Sequence, residues 1–446
     1  MKSNNITYSN FVIFVLFVLC TSNLVWASEY LDGENPTAKS VDVLDTSLSY
    51  GLKQKPEDRI FLGNWIDNLP AFLSESSLTP RFRLFSLDRN NKESPDNAAI
   101  VYGGELQFIS GQIADVFSIG ASYFTSQRLR NDNGESTLLL RENGSDINTL
   151  GKLYLDIDLD DAYLRLYRQT FDLPYVNKHD VRMIPVTHEG YIYHKTGKKL
   201  NYMAGQITQL KRRNAEGFIS MAEAAGAANS GKGTTMAGAN YDFDNNFSLG
   251  AINYYTHDVF NIFYSKFTYT GPITNEVSTR ISAQFTHQNS IGDELIGNFN
   301  TNHYGIQVET DYRNAILTLA ATNTGKGSAI RSPFGGSPGF LSLILEDFDR
   351  ANETGALAGL SYDFSSWGLT GLSTFSNFAW GKNAIDTETG NSLPDLNEQD
   401  FTIDYKPQAG LLKGFWLRYR YARADFDGGQ TIQDNRFIIN YELPFH

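Results

Sequence analysis

The feature that most constrains this chain is a period-two alternation of apolar and polar residues along many of its segments. In Lys152-Leu153-Tyr154-Leu155-Asp156-Ile157-Asp158-Leu159 every second residue is Leu or Ile. The same pattern runs through Val277-Ser278-Thr279-Arg280-Ile281-Ser282-Ala283-Gln284-Phe285-Thr286, through Phe401-Thr402-Ile403-Asp404-Tyr405-Lys406 and through Leu417-Arg418-Tyr419-Arg420-Tyr421. Side chains on a strand alternate faces, so each segment presents one apolar face and one polar or charged face. The chain is read as all-β.

A soluble sandwich shows this alternation too, with its polar face outside. Three features favour the inverted arrangement, in which the apolar face meets lipid and the polar face lines a lumen. Tyr and Phe crowd the strand ends, as the aromatic girdles of a transmembrane barrel require, and the chain holds 24 Tyr and 30 Phe. The alternating segments run to about nine residues or more, longer than the usual five or six. Connections alternate between short (Asp244-Asn245-Asn246, Thr270-Gly271-Pro272, Arg313-Asn314) and long (210–235, 287–302, 323–352, 381–398). Hydrocarbon offers no partner for an unpaired backbone group, so such a sheet must close on itself. At about 10 residues per strand, residues 78 to 445 accommodate about 16 to 18 strands, enough for an aqueous channel.

Composition removes the alternatives. A hydrophobic fraction of 41% and a mean hydropathy of -0.33, without a second long apolar stretch, exclude a helical membrane protein. The apolar run Phe11 to Cys20 follows Lys2 and leads to Val25-Trp26-Ala27, the layout of a secretory signal peptide over residues 1–27. It is too short for a membrane helix, and Leu19 before Cys20 does not fit a lipoprotein signal. Cys20 is the one cysteine, so the mature chain uses no disulfide chemistry. Loss of Lys2 leaves 36 basic against 50 acidic residues, a balance that disfavours nucleic acid. Residues 28–75, with Pro36, Pro56 and Pro70 and little periodicity, are expected to be a periplasmic or plug-like extension before a barrel over 76–446. Ile439, Tyr441, Leu443 and Phe445 share one face of a closing strand that His446 follows.

Several stretches in order and spacing resemble the OprD family of outer-membrane porins. They are Ser76-Ser77-Leu78-Thr79, Gln169-Thr170-Phe171-Asp172-Leu173-Pro174 and Asp180-Val181-Arg182-Met183-Ile184-Pro185 with Glu189-Gly190. Downstream follow Gly238-Ala239-Asn240-Tyr241-Asp242-Phe243, Glu346-Asp347-Phe348-Asp349-Arg350, Tyr362-Asp363-Phe364, Gly368-Leu369-Thr370-Gly371-Leu372 and Leu417 to Tyr421. The resemblance implies an 18-stranded antiparallel barrel narrowed by inward-folded loops. The third loop would contain Asp180 and Arg182, and the seventh would lie near residues 325 to 350. It also implies a ladder of basic residues for carboxylate-bearing solutes, falling here on Arg418, Arg420 and Arg436. The alternation independently places all three opposite the apolar face.

Arg165 and Arg280 are expected to face inward as well, and Asp347 or Asp180 would supply opposed acids. Arg418 and Arg420 would cost about 2–4 kcal/mol each on the lipid face, which favours the lumen; the bland reading is pairing with an inward acid such as Asp404. Two motif matches are decoys. Gly226-Ala227-Ala228-Asn229-Ser230-Gly231-Lys232 is followed by Gly233 where a phosphate loop needs Ser or Thr. Gly335-Gly336-Ser337-Pro338-Gly339 puts Pro338, which lacks an N–H, where a nucleophile elbow needs its donor. His188 and His194 lack metal-ligand spacing, so neither metal nor cofactor is expected.

The resulting expectation is a non-enzymatic, passive, substrate-selective outer-membrane channel for small polar solutes such as amino acids or organic acids. An oligosaccharide channel of the same fold is the alternative, and a barrel enzyme or an adhesin is the rival of another class. Expected partners are outer-membrane lipid and lipopolysaccharide, the small solutes and the barrel-assembly machinery, with the chain a monomer or weak trimer.

Overall fold

In a computed structural model of the chain, residues 70–442 are described, apart from 93, 94, 245 and 411. The expected leader, most of the expected extension, and Leu443, Phe445 and His446 lie outside the described residues. A short helix, Ala71–Ser74, precedes the first strand, and Gly111 N–H donates to Phe72 O at 3.0 Å.

The first strands are β1 (Ser77–Asn91), β2 (Asn97–Ile109), β3 (Phe117–Asp132), β4 (Ile147–Asp158), β5 (Ala162–Gln169) and β6 (Thr187–Lys195). There follow β7 (Leu200–Lys211), a two-residue β8 (Ile219–Ser220), β9 (Thr234–Asp242), β10 (Phe247–Thr256), β11 (Phe260–Pro272) and β12 (Val277–Ser290). The rest are β13 (Asn300–Tyr312), β14 (Ala315–Thr324), β15 (Thr354–Asp363), β16 (Leu372–Lys382), β17 (Leu396–Tyr405), β18 (Phe415–Phe426) and β19 (Thr431–Glu442). β8 only touches the end of β7, and β7 pairs directly with β9, so 18 antiparallel strands form the wall. β1 pairs with β2 on one side and with β19 on the other, with Arg81 opposite both Glu105 and Glu442. That seam closes the ring and leaves no sheet edge to lipid.

The faces fall as the alternation requires. In β18, Trp416, Arg418, Arg420 and Ala422 are buried toward the lumen, while Leu417, Tyr419 and Tyr421 point outward. Outward aromatics gather at the strand ends. Phe247 with Tyr269, and Phe415 with Tyr441, pack with ring centroids 4.8 and 4.5 Å apart beside short turns. The turns at that end include 159–161, 243–246 and 313–314. The opposite end carries the long loops 133–146 (loop 2), 170–186 (loop 3), 212–233 (loop 4), 325–353 (loop 7) and 383–395.

Two boundaries differ from the sequence expectation. The turn expected at Thr270–Pro272 begins after Pro272, which pairs with Ser278 at the strand end, where a missing N–H costs the ladder nothing. The loop expected over 287–302 shrinks to 291–299, because β12 and β13 stay paired up to Asn289 and Asn300. Those strand tips are polar on both faces, so periodicity does not mark them.

The lumen face is also less uniformly polar than alternation suggests. Phe85, Leu87, Ala99 and Val101 face inward and pack with Leu139 and Leu140 of loop 2 and Met183 and Ile184 of loop 3. A larger cluster joins Phe171, Leu173, Tyr175 and Val176 of loop 3 to Ile252, Tyr254, Ile262 and Tyr264 of β10 and β11, with Phe334 of loop 7. A third packs Leu341 and Phe348 of loop 7 on Leu357, Ala379 and Leu396. Apolar inward positions are where the long loops fold in, and burial there stabilises the inward course by about 25 cal/mol per Å².

The lipid face yields a direct test. Leu319, mid-strand in β14 and 49% exposed outward, is expected to tolerate no charge. Leu319→Arg should lower barrel stability in vesicles by about 2–4 kcal/mol, read by urea titration of the folded fraction.

Candidate functional site: an arginine wall facing two inward loops

The registers of β1, β19 and β18 stack basic residues in a column. Ascending from the short-turn end, inward positions hold Arg81 opposite Glu442, then Arg83 opposite Asn440. Next come Arg418 beside Ile438, the pair Arg420 and Arg436, and finally Arg89 opposite Asp434. Successive levels lie two residues apart along a strand, about 7 Å. β2 passes close to the column at Gly103 and Gly104, where a Cβ on Gly104 would lie 1.9 Å from Arg81 O.

Each of these arginines meets a polar partner. Arg418 donates twice to Asp404, at 2.7 and 2.8 Å, and lies 4.3 Å from the Trp416 ring centroid. Arg436 donates to Asp434 at 3.0 and 3.1 Å, and Arg89 reaches the same carboxylate at 2.6 Å. Arg420 Nε donates to Thr402 Oγ1 at 3.3 Å. Arg81 bridges Glu442 at 2.9 Å and Glu105 at 2.8 Å, and Glu105 also holds Lys152 at 2.8 Å. Arg165 makes the same two-point pairing with Asp156, at 2.6 and 2.8 Å, over the Tyr154 ring. Arg280 faces Glu309 at 3.2 Å.

Exposure separates these groups. The side chains of Arg418 and Arg436 are 7% and 2% exposed, whereas Arg81 and Arg89 retain 23% and 25%. Water inside the barrel therefore reaches the β1 arginines more than those of β18 and β19.

Loop 3 meets this wall. Arg83 donates to Asp180 at 2.8 Å and to Arg182 O. Tyr175 exchanges a hydrogen bond with Thr286 at 2.8 Å, and Tyr254 donates to Pro174 O at 2.5 Å. Loop 7 extends across the lumen. Its Arg331 forms two bonds of 2.9 Å with Gln288 of β12, and Phe334 O meets His188 of β6 at 3.0 Å. Gly336 exchanges two hydrogen bonds with Asn177 of loop 3, at 2.8 and 2.9 Å. The loop then returns to the wall near its own strand, where the turn at 343–346 sits on β17, two strands from β15: Leu345 and Glu346 N–H donate to Glu398 at 2.8 and 2.9 Å, and Ile344 N–H to Asp400 at 3.2 Å.

The segment around this turn is acidic. Burial pushes the Glu346 carboxyl from 4.5 up to about 7, with Arg350 opposing and Asp347 and Glu353 reinforcing the rise. Burial also raises Asp347, against its bond from Ser342, and raises Asp349 well above the usual range.

Of the residues singled out from sequence, Arg165, Arg280, Arg418, Arg420 and Arg436 all face the lumen. Asp180 faces Arg83, and Asp347 sits within loop 7. Arg182 is different. Its guanidinium turns into loop packing, donating to Thr137 O and Val181 O at 2.8 Å each, and the residue is buried. Backbone carbonyls of loop 2 carry no sequence signature that could foretell this. Sequence reasoning misses Arg81, Arg83 and Arg89, although Arg81-Phe82-Arg83 repeats the alternation of Arg418-Tyr419-Arg420. It misses Glu398 and Asp400 because their partners are backbone N–H groups of a distant loop.

A family profile described as outer membrane porin, OprD family, matches residues 70–445. The chain belongs to the OprD family of outer-membrane porins. It is an outer-membrane barrel that passes small solutes by passive diffusion. The fold is similar to that of Pseudomonas aeruginosa OpdK, solved with vanillate, at 19% identity and a TM-score of 0.76, covering 84% of this chain and 100% of that one. P. aeruginosa OpdG gives 20% and 0.77 over 84% and 100%. Acinetobacter baumannii OccAB3 gives 17% and 0.77 over 83% and 100%. No curated protein sequence matches the chain.

The Arg418–Asp404 pair sets a stability test. Asp404→Ala leaves a buried guanidinium without its carboxylate and should cost about 3–5 kcal/mol in chemical unfolding. The double variant with Arg418→Leu should recover much of that loss, and equal losses in both variants would refute the pairing.

Proposed function

We propose that this porin selects small carboxylate-bearing solutes and that the arginine column on β1, β19 and β18 guides them. The supporting observation is the column itself: guanidinium groups at successive levels of one wall, the β1 members wetted. Two unit charges 4 Å apart attract by about 1 kcal/mol in bulk water and about 4 kcal/mol at an effective dielectric of 20. One strong site would trap an anion, whereas several weak ones in series ease entry and still permit release. The acids beside each guanidinium moderate its pull. OpdK was solved with vanillate, a carboxylate, and that agrees with the proposed class.

The oligosaccharide alternative asks for accessible rings along the lumen. Trp416 and Tyr154 are buried and stacked under Arg418 and Arg165, a poor arrangement for a sliding sugar.

Planar-bilayer recording tests the proposal. In a salt gradient the reversal potential should show anion preference, and organic carboxylates should interrupt the current more than maltose-type sugars do. Arg81→Gln with Arg83→Gln should cut anion preference by roughly fivefold, the effect of about 1 kcal/mol. Unchanged reversal potential in that variant, or block by sugars alone, would overturn the carboxylate assignment.

A further inference from the structure

Loops 3 and 7 are tied together through one side-chain amide. Asn177 Nδ2 donates to Gly336 O at 2.9 Å and to Leu173 O at 3.3 Å. Its Oδ1 accepts from Gly336 N–H at 2.8 Å and from His179 N–H at 3.1 Å. An amide offers two donor hydrogens and two acceptor lone pairs, and all four are spent here. The bonds to Leu173 and His179 orient the side chain from within loop 3. The two to Gly336 join the loops, although the residues lie 159 positions apart. The pattern suits asparagine specifically, because aspartate has no donor and glutamine carries its amide one methylene further out.

Loop 7 is shaped for the approach. A Cβ on Gly335 would lie 2.7 Å from both the backbone N and the Oδ1 of Asn177, and one on Gly336 would lie 3.3 Å from the His179 ring. Loop 7 therefore meets loop 3 backbone-first, and the run Gly335-Gly336-Ser337-Pro338-Gly339, which fits no nucleophile elbow, serves as a contact strip. Ser337 Oγ accepts from Gly339 N–H at 3.3 Å and Pro338 fixes its own φ, which stiffens the strip. Just upstream, Phe334 stacks on Phe260 of β11 with ring centroids 5.8 Å apart, which delivers the two glycines to Asn177.

From this point the two loops diverge. Loop 3 runs to β1, where Asp180 meets Arg83. Loop 7 passes β13, where Phe340 lies against Gly305, and continues to Glu398 and Asp400 on β17. Between β17 and β1 the wall consists of β18 and β19, the strands that carry Arg418, Arg420 and Arg436. We propose that Asn177 is the positioning residue of the constriction. It clasps loop 7 at the apex of an opening whose sides are the two diverging loops and whose base is the arginine column. The clasp sets the largest solute that passes and keeps it beside the guanidinium groups. The limit applies whatever the solute's chemistry, so it stands apart from the carboxylate proposal.

Polymer exclusion in planar bilayers tests the clasp, with the whole chain in potassium chloride and polyethylene glycols of graded size as probes. Asn177→Ala removes all four bonds and should raise the single-channel conductance and shift the polymer cut-off to larger chains. Gly335→Ala attacks the same contact from loop 7, since its added methyl group would meet Asn177 at 2.7 Å, and should shift the cut-off in the same direction. The double variant should shift it no further than the larger single shift, because both changes open one clasp; independent loosening of the two loops would add instead. Heat-modifiable gel mobility identifies the folded variants. Unchanged conductance and cut-off in the folded single variants would overturn the proposal, and so would additive shifts in the double variant.

Discussion

The whole molecule depends on the backbone seam between β1 and β19. A sheet in hydrocarbon cannot carry unpaired N–H and C=O groups, so the pairing from Arg81–Glu442 to Asn91–Ile432 is what allows the other strands to cross the membrane at all. Once the ring is closed, period-two geometry assigns every side chain to lipid or lumen. Leu417, Tyr419 and Tyr421 go one way, Arg418 and Arg420 the other. The residues that line the lumen are thus placed by the same rule that keeps the wall in the bilayer.

The fold was largely legible for that reason. Alternation in Lys152–Leu159 and Val277–Thr286 marks strands and their faces, and both lie in the wall except Leu159, which opens the turn after β4. Strand count needed more than periodicity, because the strand tips near Ser290 and Asn300 are polar on both faces. The course of the loops was legible only through family resemblance. A local pattern says nothing about Phe334 reaching His188, or about Ile344 to Glu346 reaching Glu398 and Asp400. Such contacts join residues far apart in the chain through backbone atoms, which leave no residue-type signature. Arg182 is the sharpest case: its residue type suggested a pore cation, and its surroundings make it a clasp between loops 2 and 3.

Charge in the lumen is balanced locally. Arg418 with Asp404, Arg165 with Asp156 and Arg436 with Asp434 are close, largely shielded pairs, so each guanidinium is oriented and its field shortened. The wetter Arg81 shares its charge with two glutamates and Arg83 with Asp180 on loop 3. The column therefore both organises the constriction and presents a graded surface, and apolar clusters under loops 2, 3 and 7 supply the non-directional part of the hold.

The arginine column straddles the first and last strands of the barrel. Its lowest and highest steps come from β1 and its middle steps from β18 and β19, residues that are more than three hundred positions apart in the chain. During biogenesis this wall cannot exist until β1 and β19 meet, so the arginine column is completed only when the ring closes. A barrel stalled with those two strands unjoined would carry the column as two separate halves, one on β1 and one on β18 and β19.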